Sequence, residues 1–362
     1  MVIQLEHVLN RKWECQVDFT RDETQEAIAQ VARGLLDRDL EGDDLWRAFA
    51  EADLLTLALP ERLGGEGLSV TDVGALLTEV GRRAAVVPAL ATLGFGVLPL
   101  VALGDERQQD ELLSGLADGR TFTAALAEPG RPFPAPPSVT AVAEGGDYLV
   151  TGRVVAVPYA DGAHRILVPT DAGVVLVQPG SDGVSLTPAP SSSGSPEFAV
   201  TFDGARGELL AGGPEAVQQL YRIALASIGA VADGLLSGAT FLAGEHLATR
   251  HQFGKPLATF QAVAQQIADV YVTSRTLHVS ALSASWRVSQ GLDAQDDLDV
   301  MAYWIAAEVP AAMQVLHHLH GGIGVDVTYP LHRYYSTAKD LARLVGGASY
   351  RLDLVGARCS SI

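Results

Sequence analysis

Over its first third the chain repeats apolar residues at a helical period. In "DETQEAIAQVARGLLDRDL", Ile28, Val31, Leu35 and Leu36 recur at helical steps with charges between them, which predicts an amphipathic helix facing a core. The pattern breaks in "LPERLGGEGLS" at Pro60, Gly64 and Gly65, then resumes in "TDVGALLTEVGRR" with Thr71 as the expected helix cap. Residues 105–118, "DERQQDELLSGLAD", predict one more helix. Between about Arg120 and Leu210 the period shortens. There "YLVTGRVVAVPY", "RILVPTDAGVVLVQP" and "EFAVTFDG" predict strands of a small antiparallel sheet or barrel, separated by Pro- and Ser-rich loops. From Pro214 the helical period returns over 215–250, 258–290 and 295–318, followed by a Gly-rich turn and a last helix at about 331–345. Helices, sheet, helices is the order of an α+β chain with a β domain between two helical ones, and no internal repeat is visible.

Composition narrows the partners. The 362 residues and 48% hydrophobic content suffice for a sizeable core. A net charge of -18 and a pI near 4.8 repel nucleic acid and anionic membrane surfaces, so a polyanionic ligand must meet a local cluster of Arg and Lys. Cys15 and Cys359 stand at opposite ends and form neither a disulfide framework nor a metal motif, which fits a reducing, cytoplasmic setting. No run is expected to reach the roughly 18 apolar residues a bilayer requires, and residues 1–16 read as a leader or extended start.

Such a cluster occurs at 250–261, "RHQFGKPLATFQ". Arg250 and Lys255 place positive charge beside a Gly-Lys-Pro turn and a helix start near Thr259, an arrangement that can hold a phosphate. The plainer alternative has Arg250 in a surface ion pair and Phe253 plugging the core. Downstream, "HHLHGGIGVDVTYPLHRYYSTAKD" holds His317, His318, His320 and His332. His317 and His320 could share a helix face, but no carboxylate joins them at metal-site spacing, so no metal is expected. Gly321, Gly322 and Gly324 suit close backbone approach by a ligand or another chain.

The two segments together resemble the acyl-CoA dehydrogenase family, in which an Arg-x-x-Phe-Gly segment ending in Gln and a Gly-Gly-x-Gly segment recur in the C-terminal helical domain. The likeness continues through "ERLGGEGLS", "LTEVGRR" and "EPG" at 128–130, covering nearly the whole chain from Val17. Within the family it is similar to the smaller, base-lacking subunits of actinobacterial heterotetrameric steroid side-chain acyl-CoA dehydrogenases, through "LLTEVGR", "PALATLG" and "HHLHGG". The resemblance implies an N-terminal helical domain at 17–120, a middle β-barrel or sandwich domain at 121–210 and a C-terminal four-helix bundle domain at 211–362. It further implies FAD-dependent removal of two hydrogens, α and β to a CoA thioester, with electron-transferring flavoprotein as acceptor. Carried over residue by residue, Arg250, Gln252 and Phe253 would meet the pyrophosphate and adenine side of FAD, with Gln261, His318, Gly321 and Gly322 in the same patch. In the family this patch crosses a subunit interface to FAD held mostly by the neighbouring chain.

The catalytic side of the family pattern is missing. Removing an α-proton needs a carboxylate, and the usual glutamate position is here Val345. The alternative glutamate position, 26 residues before Arg250, is Ala224. After "EPG" the family's Gly-Ser-Asp loop is replaced by "RPFPAPP", and its Trp-x-Thr strand over the flavin aligns with Ala156 and Pro158, which supply neither hydroxyl nor, at proline, an N–H. Asp233, interrupting an apolar helix, is the remaining candidate base; its alternative role is a helix–helix hydrogen bond. Glu79 and Glu128 match family positions that read as structural, and Asp326 reads as a turn acceptor. The expectation is therefore a non-catalytic subunit sharing FAD at a heterodimer interface with a partner that carries the glutamate, acting on a steroid side-chain CoA ester. A stand-alone flavoenzyme using Asp233 and a flavin-free scaffold are the alternatives.

Overall fold

The computed structural model describes residues 20–38 and 40–360, so the expected leader 1–16 and Cys15 lie outside the described residues. The N-terminal helices are α1 (Glu23–Leu36), α2 (Gly42–Glu51), α3 (Val70–Arg82), a π-helical stretch Leu90–Val97 continuing into α4 (Leu98–Leu103), and α5 (Glu106–Leu113). Each start has a local cause. Asp22 and Gln25 form a reciprocal capping box on α1, and Asp105 with Gln108 does the same for α5. For α3 the cap is Ser69, paired with Asp72, rather than Thr71; the Thr71 hydroxyl instead contacts Ser289 at 2.7 Å. On α1 the buried face is Ile28, Ala29, Ala32, Leu35 and Leu36, while Val31 is 45% exposed, because small alanines let the helix sit closer than a valine row would.

The middle domain is one seven-stranded sheet. Its strands are β1 (Phe122–Ala124), β2 (Thr140–Glu144), β3 (Asp147–Pro158), β4 (Arg165–Thr170), β5 (Gly173–Val177), β6 (Val184–Pro188) and β7 (Glu197–Leu209). The order is β1-β4-β5-β7-β3-β2, with β6 also on β7. The expected antiparallel pattern holds except that β1 and β4 are parallel, and β1, β2 and β6 are strands the alternation did not reveal. A bridge from Ala127 to Val155 brings the chain after β1 back onto β3, which curls the sheet. Val154, Val157, Ile166, Val168, Phe198 and Phe202 fill the sheet's own core, whereas Leu167, Val174 and Leu176 join the helical core.

The C-terminal domain contains α6 (Glu215–Thr249), α7 (Gln261–Ser289), α8 (Gln295–His320), α9 (Leu331–Leu344) and α10 (Ala348–Cys359). Helix α10 was not expected, since the helical reading stopped at about residue 345; its only buried residue is Arg351, so it carries no apolar stripe to detect. Helix α6 packs against α3, α7, α8 and α9. By mean hydropathy, 1.5 over its most apolar window, α6 is long and apolar enough to cross a membrane, contrary to the expectation that no such run exists, yet 78% of that window is buried in the fold.

The α3–α6 contact depends on missing side chains. A Cβ at Gly234 would fall inside the Thr78 carbonyl, one at Gly238 inside the Arg82 carbonyl, and one at Gly81 inside the Val231 carbonyl. The helices therefore touch backbone to backbone. Gly234→Ala is expected to destabilise the chain by about 2–3 kcal/mol through overpacking. Gly34→Ala on α1, where nothing lies within 4 Å, should stabilise by about 0.5–1 kcal/mol. Denaturant midpoints of the two variants check both signs.

Candidate functional site

Helix α6 ends at Thr249 and the chain turns through a two-residue hairpin, His251 pairing with Pro256 and Gln252 with Lys255. Phe253 (φ 53) and Gly254 (φ 79) form its tip with the positive φ values a type I′ turn needs. A phenylalanine in that region is strained, and this one is 92% exposed. The alternative in which Phe253 plugs the core is overturned by that exposure: its ring meets Phe260 edge-on at 6.2 Å, while Lys255 Nζ lies 4.3 Å over the Phe260 ring. Among the described residues Arg250 makes no ion pair either. Helix α7 begins at Gln261 with no side-chain cap, so its first N–H groups remain available.

The second half of the patch comes from the end of α8. His246, in the last turn of α6, stacks on His320 with ring centroids 4.7 Å apart and planes 19° from parallel. This contact places Arg250 and the exposed His318, Gly321 and Gly322 at the same end of the bundle. Gly321 caps α8 at φ 63, and a Cβ at Gly321 or Gly322 would meet nothing within 4 Å. Gly324 differs: its Cβ would lie 3.0 Å from His320 Cβ, so it is a packing glycine.

The histidine nitrogens bond to the chain itself. His320 Nδ1 pairs with the Leu316 carbonyl at 2.7 Å and Nε2 with the Tyr329 hydroxyl at 3.2 Å. His317 Nδ1 pairs with the Met313 carbonyl and His332 Nδ1 with the Tyr329 carbonyl. Among the described residues no three His, Cys, Asp or Glu side chains converge as a metal site. Burial, together with the nearby His246 and His317, lowers the His320 pKa; burial and Arg250 lower that of His246.

The two positions that the resemblance assigns to a base, Ala224 towards the other end of α6 and Val345 at the end of α9, are both closed. Ala224 and Val345 are each 0% exposed. Val345 caps α9, and its carbonyl accepts from Arg351 Nε at 2.5 Å. Arg351 Nη2 donates to the Phe133 carbonyl at 2.9 Å, and the Phe133 ring packs on Tyr221, one turn before Ala224 on α6, at 5.6 Å. The loop carrying Phe133 is held by Glu128, whose carboxylate accepts from the Ser138 and Val139 N–H groups at 2.6 and 3.2 Å. Arg351, Phe133 and Tyr221 went unread in the sequence because an isolated Arg on a polar helix and a Phe between prolines carry no periodic signal. Ala156, at φ 55, sits in a register shift between Val154 and Val157, and Pro158 pairs with Glu197.

The remaining carboxylates have structural partners. Asp233 Oδ2 lies 2.9 Å from His278 Nδ1, a bond between α6 and α7 at the floor of a groove of about 630 Å³ lined also by Arg82, Phe241 and Arg275. Asp233 is nine residues past Ala224 on α6, about 13 Å along the axis at 1.5 Å per residue. It cannot reach atoms that a side chain at 224 would meet. Glu79, 1% exposed, pairs with Arg21 at 2.8 Å, and Asp326 accepts from the Thr328 N–H and hydroxyl at 2.8 Å each.

The lowered His246 and His320 values mean the folded chain binds fewer protons than the unfolded one below the ordinary value of 6.5. Their contribution to stability is complete above that value and is lost as the pH falls beneath it. Thermal midpoints should therefore drop from about pH 7.5 to about pH 5.5, and His320→Phe should reduce that slope. His164, pushed down to about 4 by burial, Arg165 and Arg120, supplies part of the remaining slope.

Comparison with known proteins places this geometry. Residues 16–120 match the acyl-CoA dehydrogenase N-terminal domain and residues 202–359 the acyl-CoA dehydrogenase C-terminal domain. The chain is 50% identical over 347 residues to acyl-CoA dehydrogenase FadE28 of Mycobacterium tuberculosis, covering 95% of this chain and 99% of that one. A variant of the Tcur3481–Tcur3483 steroid ACAD superposes with a TM-score of 0.85 at 33% identity, covering 94% of this chain and 97% of that chain. The ChsE4–ChsE5 complex from Mycobacterium tuberculosis superposes at 0.87 and 28% identity, covering 96% and 100%. With both helical domains matched and half of all positions identical to FadE28, the chain belongs to the acyl-CoA dehydrogenase family.

Proposed function

We propose that this chain is the non-catalytic subunit of a heteromeric, FAD-dependent acyl-CoA dehydrogenase. The observation carrying this reading is the contrast between its two ends: a largely exposed patch at Arg250–Gln261 with His318, Gly321 and Gly322, and apolar, buried residues at both base positions. The patch suits FAD's phosphate and adenine side. Arg250 lacks an ion-pair partner among the described residues, α7 opens with free N–H groups, and Gly321 and Gly322 leave the backbone accessible. In this reading Arg250, Gln252, Gln261 and His318 bind and orient the cofactor across the interface, and Phe253 packs its exposed ring against the neighbouring chain. When bound, FAD supplies the acceptor for the β-hydride, while the partner's glutamate takes the α-proton.

Surface chemistry supports a partner subunit. Helix α7 is 29 residues long yet buries only Val270, Ser274, Leu277, Ala281, Ala284 and Ser285. Tyr271, Val272 and Val279 stand 58%, 62% and 43% exposed on it, an apolar face of the kind that subunit interfaces cover. The substrate class is a steroid side-chain CoA ester, by similarity to relatives found in steroid ACAD complexes, with electron-transferring flavoprotein as acceptor. The acidic composition and lack of a cysteine framework fit a cytoplasmic assembly.

Co-expression with a base-bearing family member should give one FAD per pair of unlike chains, measured by flavin absorbance against protein. Arg250→Ala should weaken flavin retention in that complex about tenfold or more, the effect of losing a charged hydrogen bond. Unchanged flavin content would favour a flavin-free scaffold. Asp233→Asn should leave turnover of the complex essentially unchanged; a fall of several orders of magnitude would favour the displaced base. The chain purified alone should be colourless and inactive, and a yellow, fully active single chain overturns the proposal.

A further inference from the structure

We infer that Arg351 is a buried latch that seals this chain's own cleft against both a flavin ring and an acyl thioester. The inference rests on the reading of Val345 and Ala224 as vacated base positions, and it adds what has taken the vacated space. Arg351 is 0% exposed and is the only buried residue of α10. A guanidinium is costly to bury unless its donors are used. Here Nε donates to the Val345 carbonyl and Nη2 to the Phe133 carbonyl, 2.5 and 2.9 Å away, while Nη1 is buried with no hydrogen-bond partner among the described residues. The group also lies over the Phe133 ring at 5.6 Å and the Tyr350 ring at 5.7 Å, with Asp299 3.8 Å from Nη1. Its charge stands at the C-terminal end of α9, where the helix dipole favours a cation.

The latch joins three segments that a ligand would have to part. Val345 and Gly346 follow α9, Pro132 and Phe133 belong to the loop after β1, and Tyr221 belongs to α6. A Cβ at Gly346, which has φ 90, would come within 2.6 Å of Pro132 Cβ, so turn and loop are already in contact. Tyr221 closes the inner side, its ring on Phe133 and its hydroxyl 3.4 Å from the Ala135 carbonyl. Further out, α9 is clamped to the sheet domain. Asp340 accepts from the Ser192 and Ser193 N–H groups at 2.9 and 2.8 Å, and Arg343 holds both oxygens of Glu197 at 2.7 Å. Opening the cleft would strip the buried guanidinium of its carbonyls and break both outer clamps. A glutamate restored at position 345 would therefore meet no substrate.

Hydrogen exchange on the full chain, in whatever complex it forms, tests this. In the native protein, FAD together with butyryl-CoA should leave exchange in residues 131–135 and 345–351 unchanged. Protection of those segments on ligand addition would overturn the inference, since the cleft would then admit a ligand. In Arg351→Met, exchange should rise about tenfold or more in both segments at once, and not in β4 or β5. Arg351→Lys, which keeps the charge but loses the planar fork spanning two carbonyls, should behave like the methionine variant. A rise confined to α10 would refute the latch. Where the variants fail to fold, the ligand arm on the native chain still decides. That arm reads this chain's own segments, so it stands apart from flavin stoichiometry, on which the subunit reading succeeds or fails.

Discussion

Helix α6 and helix α3 meet backbone to backbone across Gly81, Gly234 and Gly238, and the positions of both ends of α6 follow from that contact. One end carries Tyr221 and Ala224 under the sheet domain; the other carries His246 and Arg250 to the ends of α7 and α8. The helix is also the common packing partner of α7, α8 and α9. A single rigid, apolar rod thus holds two chemically opposite regions apart, one filled and one open. Because protein interiors pack densely, neither end can shift without the glycine contact changing as well.

Electrostatics separates the two ends further. Arg351 is buried, and burial draws its pKa down to about 10, against the opposing pull of Asp299; it stays charged at neutral pH and binds carbonyls that would otherwise be orphaned. Arg250 is in the opposite situation, exposed and without an ion pair among the described residues. The first guanidinium serves the fold, and the second is free to serve a ligand or another chain.

Much of this architecture was legible in sequence. The long helices stand where the apolar period put them, because a helix buried on one side must repeat its apolar residues at its own pitch. What failed did so for identifiable reasons. Thr71 lost the cap to Ser69, whose side chain pairs with Asp72 three residues on. Val31 points outward because Ala29 and Ala32 supply the close-packed face. Strand β1, three residues long, is too short for alternation to register, and β6 buries none of its five residues. Helix α10 has no apolar stripe, since its anchor is an arginine. At the patch, the positively charged turn was readable, but the exposure of Phe253 was not, because an aromatic residue in a sequence looks the same whether it plugs a core or meets a partner.

The sequence by itself determined the family, the helix–sheet–helix order and the absence of a carboxylate at positions 224 and 345, since these depend only on residue identity and local period. Tertiary structure alone decided what packs around those two positions. Phe133, Tyr221 and the Val345–Arg351 turn come from separate segments, and contacts between positions as distant as Phe133 and Arg351, 218 residues apart, leave no periodic trace. The same holds for the His246–His320 stack that joins the two halves of the open patch, 74 residues apart (320 − 246). Local preferences are written into neighbouring residues, whereas a filled cleft and an assembled surface exist only once the chain has closed on itself.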